Sequence, residues 1–296
     1  MAKEKQQVLL SPADPRDYTV AAALEVSGDT LPDDFTVWQP PVEDQGNIGN
    51  CVAQALANIM ECIEHNETGK HRDYSVGYIY GTTNTYGMMG RSACQALVDE
   101  GDVPRSVWEC LEENPECWEK RQSVGEDVKR QAKRALKYIR IKEYDDLKAF
   151  IYRYRLPVLL IAKSTKLQGG GNGRHAVACF GWQSPEAWRK KWGTKYPYEE
   201  LRYTNSYGTG GGMRDGTGDI AFDDVEEIWG VVPMSEKKFC DVPENFWSTE
   251  AIYEAANDGI FEGYEDGTFR PKNNLTREEY AVMWQRMKRW IKDNMK

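Results

Sequence analysis

At residues 41–63 a loop rich in proline and glycine gives way abruptly to a helical pattern, and a cysteine stands at the junction. The stretch LPDDFTVWQPPVEDQGNIGN (31–50) carries three prolines, Gly46 and Gly49, so it reads as a loop. From Val52 onward the apolar positions 52, 56, 59, 60 and 63 repeat at the spacing of an amphipathic helix with one buried face. Cys51 therefore opens the helix. Unpaired backbone N–H groups and the helix dipole put partial positive charge there, which lowers the pKa of a thiol. Gly46 and Gly49 let the backbone approach a substrate carbonyl closely, and the Cys51 N–H with the Gln45 side-chain amide could form an oxyanion hole. Taken locally, Cys51 reads equally well as one more buried small apolar residue, as Cys62, Cys94 and Cys179 are expected to be.

The rest of the chain bounds the classes open to it. Its 296 residues suffice for a domain of roughly 200 residues and a small second unit. Hydrophobic residues make up 40% and aromatic residues 11%, enough to build a core. A net charge of −9 argues against nucleic acid or an anionic membrane as the main partner. No apolar run is long enough to insert into a membrane, and the first residues lack the apolar core of a secretory signal. The seven cysteines form no CxxC pair and the chain has three histidines, so no metal and no cofactor is expected. A reduced, disulfide-free protein is expected.

Residues 1–30 read as an extended arm. Periodicity predicts helices over 126–140 and 145–154, then buried strands at 158–162, 175–180, 201–205 and 219–222, with a glycine-rich turn at 169–173. Helices come first and strands later, an α+β arrangement. The apolar signal lapses at 234–238, a linker before a unit over 239–296.

His65 and His71 lie in a polar stretch and are expected to be solvated, whereas His175 opens an apolar strand after a loop. A ring there is either a satisfied core histidine or a site residue. Asn205 ends a strand at a turn, where its side chain can hold an imidazole in orientation.

These residues sit in recognisable company. PVEDQGNIGNCVAQALAN (41–58), RHAVACFGW (174–182), YTNSYG (203–208), LPDDFTVWQ (31–39) and GRSACQALVDEGDVP (90–104) resemble, in order, segments of papain-like cysteine peptidases. The resemblance spans 31–233. It implies a two-lobed fold, a helical lobe beside an antiparallel β-sheet lobe, acting on protein or peptide substrates. It further implies Cys51 as nucleophile, His175 as acid/base, Asn205 as its orienter and Gln45 as oxyanion donor, with Gly49, Gly90, Arg174 and Tyr207 lining the substrate cleft. The sequence departs from the family in four places. Ile48 replaces a disulfide cysteine, and Val52 replaces an aromatic residue. Tyr207 replaces the Trp that shields the His–Asn bond, and QSPEAWRKKWGTKYPYEE (183–200) reads as an insertion. No propeptide of the usual size precedes residue 31, and residues 1–30 are expected to lie across the cleft.

FCDVPENFWSTEAIYEAANDGIFEGYEDGTFRPKNNLTREEYAVMWQRM (239–287) resembles an S-layer homology (SLH) motif, a helix–loop–helix unit of bacterial surface proteins. That resemblance implies binding of cell-wall polysaccharide through Trp247 and Arg277, since Arg suits an anionic group and Trp a sugar face. Trp247 is equally readable as a plug in a small core. Thr276 and Glu279 have the spacing of a helix-capping pair. The family usually carries three copies, so one copy implies a homotrimer. The leading expectation is a peptide-bond hydrolase at a bacterial surface. The alternatives are a non-catalytic wall-associated protein and a phage-type hydrolase of peptidoglycan cross-bridges.

Overall fold

The structure, a computed structural model, describes residues 8–12, 14, 31–85, 87–110, 114–167, 173–184, 186, 200–208, 216–233, 239–243, 247–264, 266 and 268–294. The expected linker at 234–238, most of the arm before residue 31 and most of the insertion within 183–200 lie outside the described residues.

The element order is β1 (Asp34–Thr36), α1 (Cys51–Thr68), α2 (Val76–Tyr80), α3 (Gly90–Asp99), α4 (Asn114–Gln122), α5 (Glu126–Lys129), β2 (Ala135–Ile141), α6 (Tyr144–Tyr154), β3 (Val158–Lys163), β4 (Arg174–Gln183), β5 (Glu200–Thr204), β6 (Thr217–Ala221), β7 (Val225–Pro233), α7 (Thr249–Asn257) and α8 (Arg277–Asn294). The strands form one antiparallel sheet in the order β2-β7-β3-β4-β5-β6, with β1 added against β4. Helices α1–α3 pack as a group beside it, with α1 against β4. This is the expected α+β arrangement.

Helix α1 begins at Cys51, but every residue from Cys51 to Ile63 is buried, not one face alone. Ala and Cys at the intervening positions are small enough to be covered by α2, α3 and the sheet. A left-handed Gly69 (φ 68°) closes the helix. The four expected strands all form.

The helix expected over 126–140 does not form as one element. It reduces to α5, and Ala135–Ile141 is strand β2, paired with β7 from Ile141↔Ile228 to Ala135↔Pro233. Within ALKYIRI the three-residue spacing of Leu136 and Ile139 reads as a helix, but Ile139 and Ile141 alternate as in a strand, a register shift between Ala135 and Lys137 absorbs the offset, and the edge of β7 decides between them. The disulfide-free expectation also fails. Cys110 and Cys117 are bonded, with Cα atoms 5.9 Å apart, because α4 returns to α2 and buries both sulfurs. The two polar-stretch histidines are engaged rather than simply solvated. His65 stacks on Trp38 at 3.9 Å, and His71 Nε2 lies 3.1 Å from both Glu61 and Asp73.

The C-terminal residues make a small core of their own from Phe239, Val242, Ile252 and Tyr253, with Ala256 and Phe269 against it. Asp241 ties the loop together by accepting from the N–H groups of Phe269 and Arg270, both at 2.7 Å. Thr276 and Glu279 form the expected reciprocal cap at the start of α8. Lys137 on β2 pairs with Asp258 at 3.0 Å, joining the two cores.

Candidate active site

Three chain segments converge where α1 meets the sheet. The first is the loop before α1. Asp44 accepts from the Gly46 N–H at 2.8 Å, and Gly46 turns the chain with φ 58°, a value glycine adopts without strain. The second is the turn after β5. Asn205–Gly208 is zipped to that loop by Gln45 N–H to Ser206 O at 2.7 Å and Gly208 N–H to Glu43 O at 3.0 Å. The Ser206 hydroxyl donates to the Gln45 side-chain oxygen, which leaves the Gln45 amide nitrogen as the donor end. That nitrogen gives one hydrogen to Ile48 O at 2.8 Å.

The third segment is the start of β4. His175 Nε2 stands 2.8 Å from Asn205 Oδ1. The Ser206 N–H also donates to that same oxygen, at 2.8 Å. An N–H donor fixes which end of the amide is oxygen, and the oxygen in turn requires the hydrogen on His175 Nε2. The imidazole is thereby held with Nδ1 as its basic nitrogen. Tyr207 stacks on the ring with centroids 4.7 Å apart, and its hydroxyl lies 3.4 Å from Nδ1.

The backbone N–H groups of Ala176, the neighbour of His175, and of Val52 and Cys51 itself lie close enough to the Cys51 sulfur to favour its thiolate. Burial nevertheless pushes the thiol up to about 11, against the pull of those N–H groups. This corrects the expectation of a lowered thiol pKa: in the covered site, desolvation of the thiolate outweighs the helix start. Burial and the neighbouring Cys51 likewise push the Tyr207 hydroxyl up to about 12.

The structure thus gathers Gln45, Cys51, His175 and Asn205, all buried, beside the half-buried Tyr207. Gly49 lies in the same loop. Gly90 starts α3, where an added Cβ would meet Trp229 Nε1 at 2.6 Å. Arg174 is held by Glu226 through two hydrogen bonds of 2.9 and 3.1 Å. Sequence reasoning missed Ser206, which pins both amides, and the Ala176 N–H. Ser206 was legible in YTNSYG; a backbone donor leaves no trace in a sequence.

Comparison with known proteins agrees with this architecture. Xylellain, a cysteine protease from Xylella fastidiosa, superposes with a TM-score of 0.60 at 20% identity, over 79% of this chain and 97% of that one. A procathepsin B from Trypanosoma congolense gives 0.57 at 13% identity, over 77% and 86%. The S-layer homology domain model matches residues 238–281. The fold is papain-like, and an SLH domain follows it. Cell surface glycoprotein 1 of Acetivibrio thermocellus is 41% identical over 59 residues, 20% of this chain. Outer membrane protein SlpA of Thermus thermophilus is 41% identical over 59 residues as well. The chain spans only 2% and 6% of the length of those two relatives. Trp247 of the SLH domain is 87% exposed, which overturns its reading as a core plug, and Arg277 is exposed at the first position of α8. No described helix is long and apolar enough to cross a membrane.

Proposed function

We propose that this chain is a cysteine endopeptidase, carried on a bacterial surface by its SLH domain, with residues 31–233 as the catalytic unit. The observation that carries the reading is the double use of Asn205 Oδ1, which accepts from both Ser206 and His175 and so leaves Nδ1 as the basic nitrogen of His175, whose neighbour Ala176 turns its N–H to the Cys51 sulfur.

The chemistry follows from that orientation. In the resting site the sulfur is a thiol. As it attacks the substrate carbonyl, Nδ1 of His175 takes its proton, so thiolate and imidazolium form together and neither charge is left alone in a buried site. The carbonyl oxygen becomes an oxyanion, which the Cys51 N–H and the second hydrogen of the Gln45 amide stabilise. The C–N bond then breaks and His175 returns the proton to the departing amine. Water, deprotonated by His175, hydrolyses the thioester. Asn205 keeps the ring in one tautomer throughout, and Tyr207 covers the His–Asn bond. Gly49, Gly90 and Arg174 border the cleft.

The SLH domain is proposed to bind anionic cell-wall polysaccharide through Trp247 and Arg277. Helix α8 exposes Tyr280, Trp284 and Ile291 along one face, and this apolar row is proposed to pair with two further copies in a homotrimer. Light scattering that gives a monomer at micromolar concentration would refute the trimer.

The peptidase reading is tested by incubating the chain and its Cys51→Ala variant with a peptide library, a protein substrate and purified cell walls. Cleavage of peptides that vanishes in the variant supports it. Cleavage of walls alone would move the substrate to peptidoglycan cross-bridges, and no cleavage of any substrate would leave a binding protein.

A further inference from the structure

A second polar cluster lies well along α1 from the proposed nucleophile. Glu61 follows Cys51 by ten residues on that helix, roughly 15 Å along the axis at about 1.5 Å per residue. Glu61 is only 2% exposed. His71 and Asp73 come from the loop between α1 and α2, and both are exposed. His71 Nε2 stands 3.1 Å from Glu61 Oε2 and 3.1 Å from Asp73 Oδ1, and the three donor atoms all lie within 4.8 Å of one another.

One ring nitrogen cannot serve both oxygens by hydrogen bonding alone. As a donor, Nε2 has a single hydrogen to share between two acceptors. As an acceptor, it faces two further acceptors with nothing between them. A divalent ion satisfies all three atoms at once. Zinc binds imidazole nitrogen and carboxylate oxygen at about 2.0–2.2 Å, which sets neighbouring donors about 3–3.5 Å apart. Both 3.1 Å separations fall in that range. The Asp73 side chain is 49% exposed, so it is free to close the remaining distance to Glu61. Glu61 Oε1 accepts from the Tyr74 N–H at 3.2 Å, which holds the carboxylate with Oε2 toward His71.

A separate observation also points to a cation. Carboxyl groups crowd this part of the helical lobe: Glu61 is repelled by Glu43, Asp102 by Glu61, and Glu43 by Asp73. Asp102 is fully buried, and its Oδ2 has no hydrogen-bond partner among the described residues. The neighbouring guanidinium groups are engaged elsewhere in the crowd. Arg105 pairs with Glu43 at 2.6 and 3.2 Å, and Arg121 donates to Glu100. A dication held by Glu61 would offset this repulsion. We propose that Glu61, His71 and Asp73 form a zinc site that clamps the loop before α2 onto α1, with water completing the coordination. Imidazole favours a borderline ion such as zinc over calcium or magnesium, which prefer oxygen alone. The expectation of no metal rested on the absence of a CxxC pair and on three histidines, and one histidine joined by two carboxylates escapes both criteria. No step of the peptidase reading passes through this site, so the two stand or fall separately.

Isothermal titration with zinc tests the site on the full chain carrying Cys51→Ala and Cys240→Ser, which removes the proposed nucleophile and the exposed free thiol as competing ligands. One zinc should bind per chain. His71→Ala should weaken that binding by about a hundredfold or more, and Asp73→Asn by about tenfold. Both changes fall on exposed side chains, and where His71→Ala melts early, Asp73→Asn carries the same comparison. Zinc at about a hundred times its Kd should raise the melting temperature by roughly 5 °C or more, and the same concentration of magnesium should leave it unchanged. Cobalt(II) bound in place of zinc should show d–d absorption without the intense near-ultraviolet band of a thiolate ligand. No heat of zinc binding, or zinc affinity unchanged by both His71→Ala and Asp73→Asn, overturns the site. A thiolate band would move the ion to a cysteine, and a magnesium shift as large as that of zinc would reduce the effect to a general response of an acidic surface; either result overturns it as well.

Discussion

The Tyr207 ring lies nearly parallel to the His175 ring, at an interplanar angle of 10°, while its hydroxyl reaches within 3.4 Å of Nδ1. One residue therefore both stacks on the ring that holds the His175–Asn205 bond and touches the nitrogen proposed to take the thiol proton. The cover is the larger effect, because a stacked ring excludes water from a buried hydrogen bond, whereas a contact of this length is weak. Tyr207→Phe should keep kcat/KM on a fluorogenic peptide within about threefold, and Tyr207→Ala should lower it by about tenfold or more. A larger loss in the Phe variant would assign the hydroxyl a direct part in proton transfer.

Asn205 accepts two hydrogen bonds through one oxygen, so the residue type should matter through that oxygen. Asn205→Ala frees the imidazole to rotate and should reduce kcat by roughly tenfold to a hundredfold with little change in KM. Asn205→Asp keeps an acceptor for both donors and should lose less. Steady-state kinetics of the pair decide the point.

Two glycines in the sheet and at α3 should differ sharply on substitution. A Cβ at Gly181 would fall 2.0 Å from Phe35 O, which is backbone, and would break the β1–β4 pairing. A Cβ at Gly90 meets the Trp229 side chain, which can shift, so its cost should be that of ordinary overpacking, about 1–3 kcal/mol. Thermal melts should rank Gly181→Ala well below Gly90→Ala.

In the metal-free chain, Glu61 gives the protein a pH dependence away from the active site. Burial pushes its carboxyl up to about 7, while the Tyr74 N–H and His71 pull the other way. The folded state therefore holds a proton that the unfolded chain releases near its ordinary pKa of 4.5. This contribution is fully present below pH 4.5 and is lost as pH rises through 7, a change on the order of 3 kcal/mol. Denaturant titrations of wild type and Glu61→Gln should converge at low pH, with the variant gaining relative stability above pH 7. A parallel pair of pH profiles would refute this.

Trp247 is exposed in a domain whose core is built from other residues. Trp247→Ala should leave the melting temperature within about 1 °C and lower the amount of chain that sediments with purified cell walls several-fold. Unchanged sedimentation would remove Trp247 from the proposed wall contact.

Much of this was readable along the chain because local rules governed it. The junction at Cys51, the strands at 158–162 and 175–180, and the Thr276–Glu279 cap depend on residues adjacent or one turn apart. Periodicity and turn chemistry record such relations directly. The order of the motifs located Gln45, Cys51, His175 and Asn205, which sit in one cluster.

What only the tertiary structure decided involves partners far away in sequence. ALKYIRI became a strand because β7, some ninety residues on, offered an edge to pair with. The Cys110–Cys117 bond, the upward shift of the Cys51 thiol and the meeting of His71 with Glu61 depend on burial and on a neighbour supplied by another element. A sequence states which donors and charges exist. Whether water still reaches them depends on the whole packed chain, and desolvation sets the sign of their chemistry.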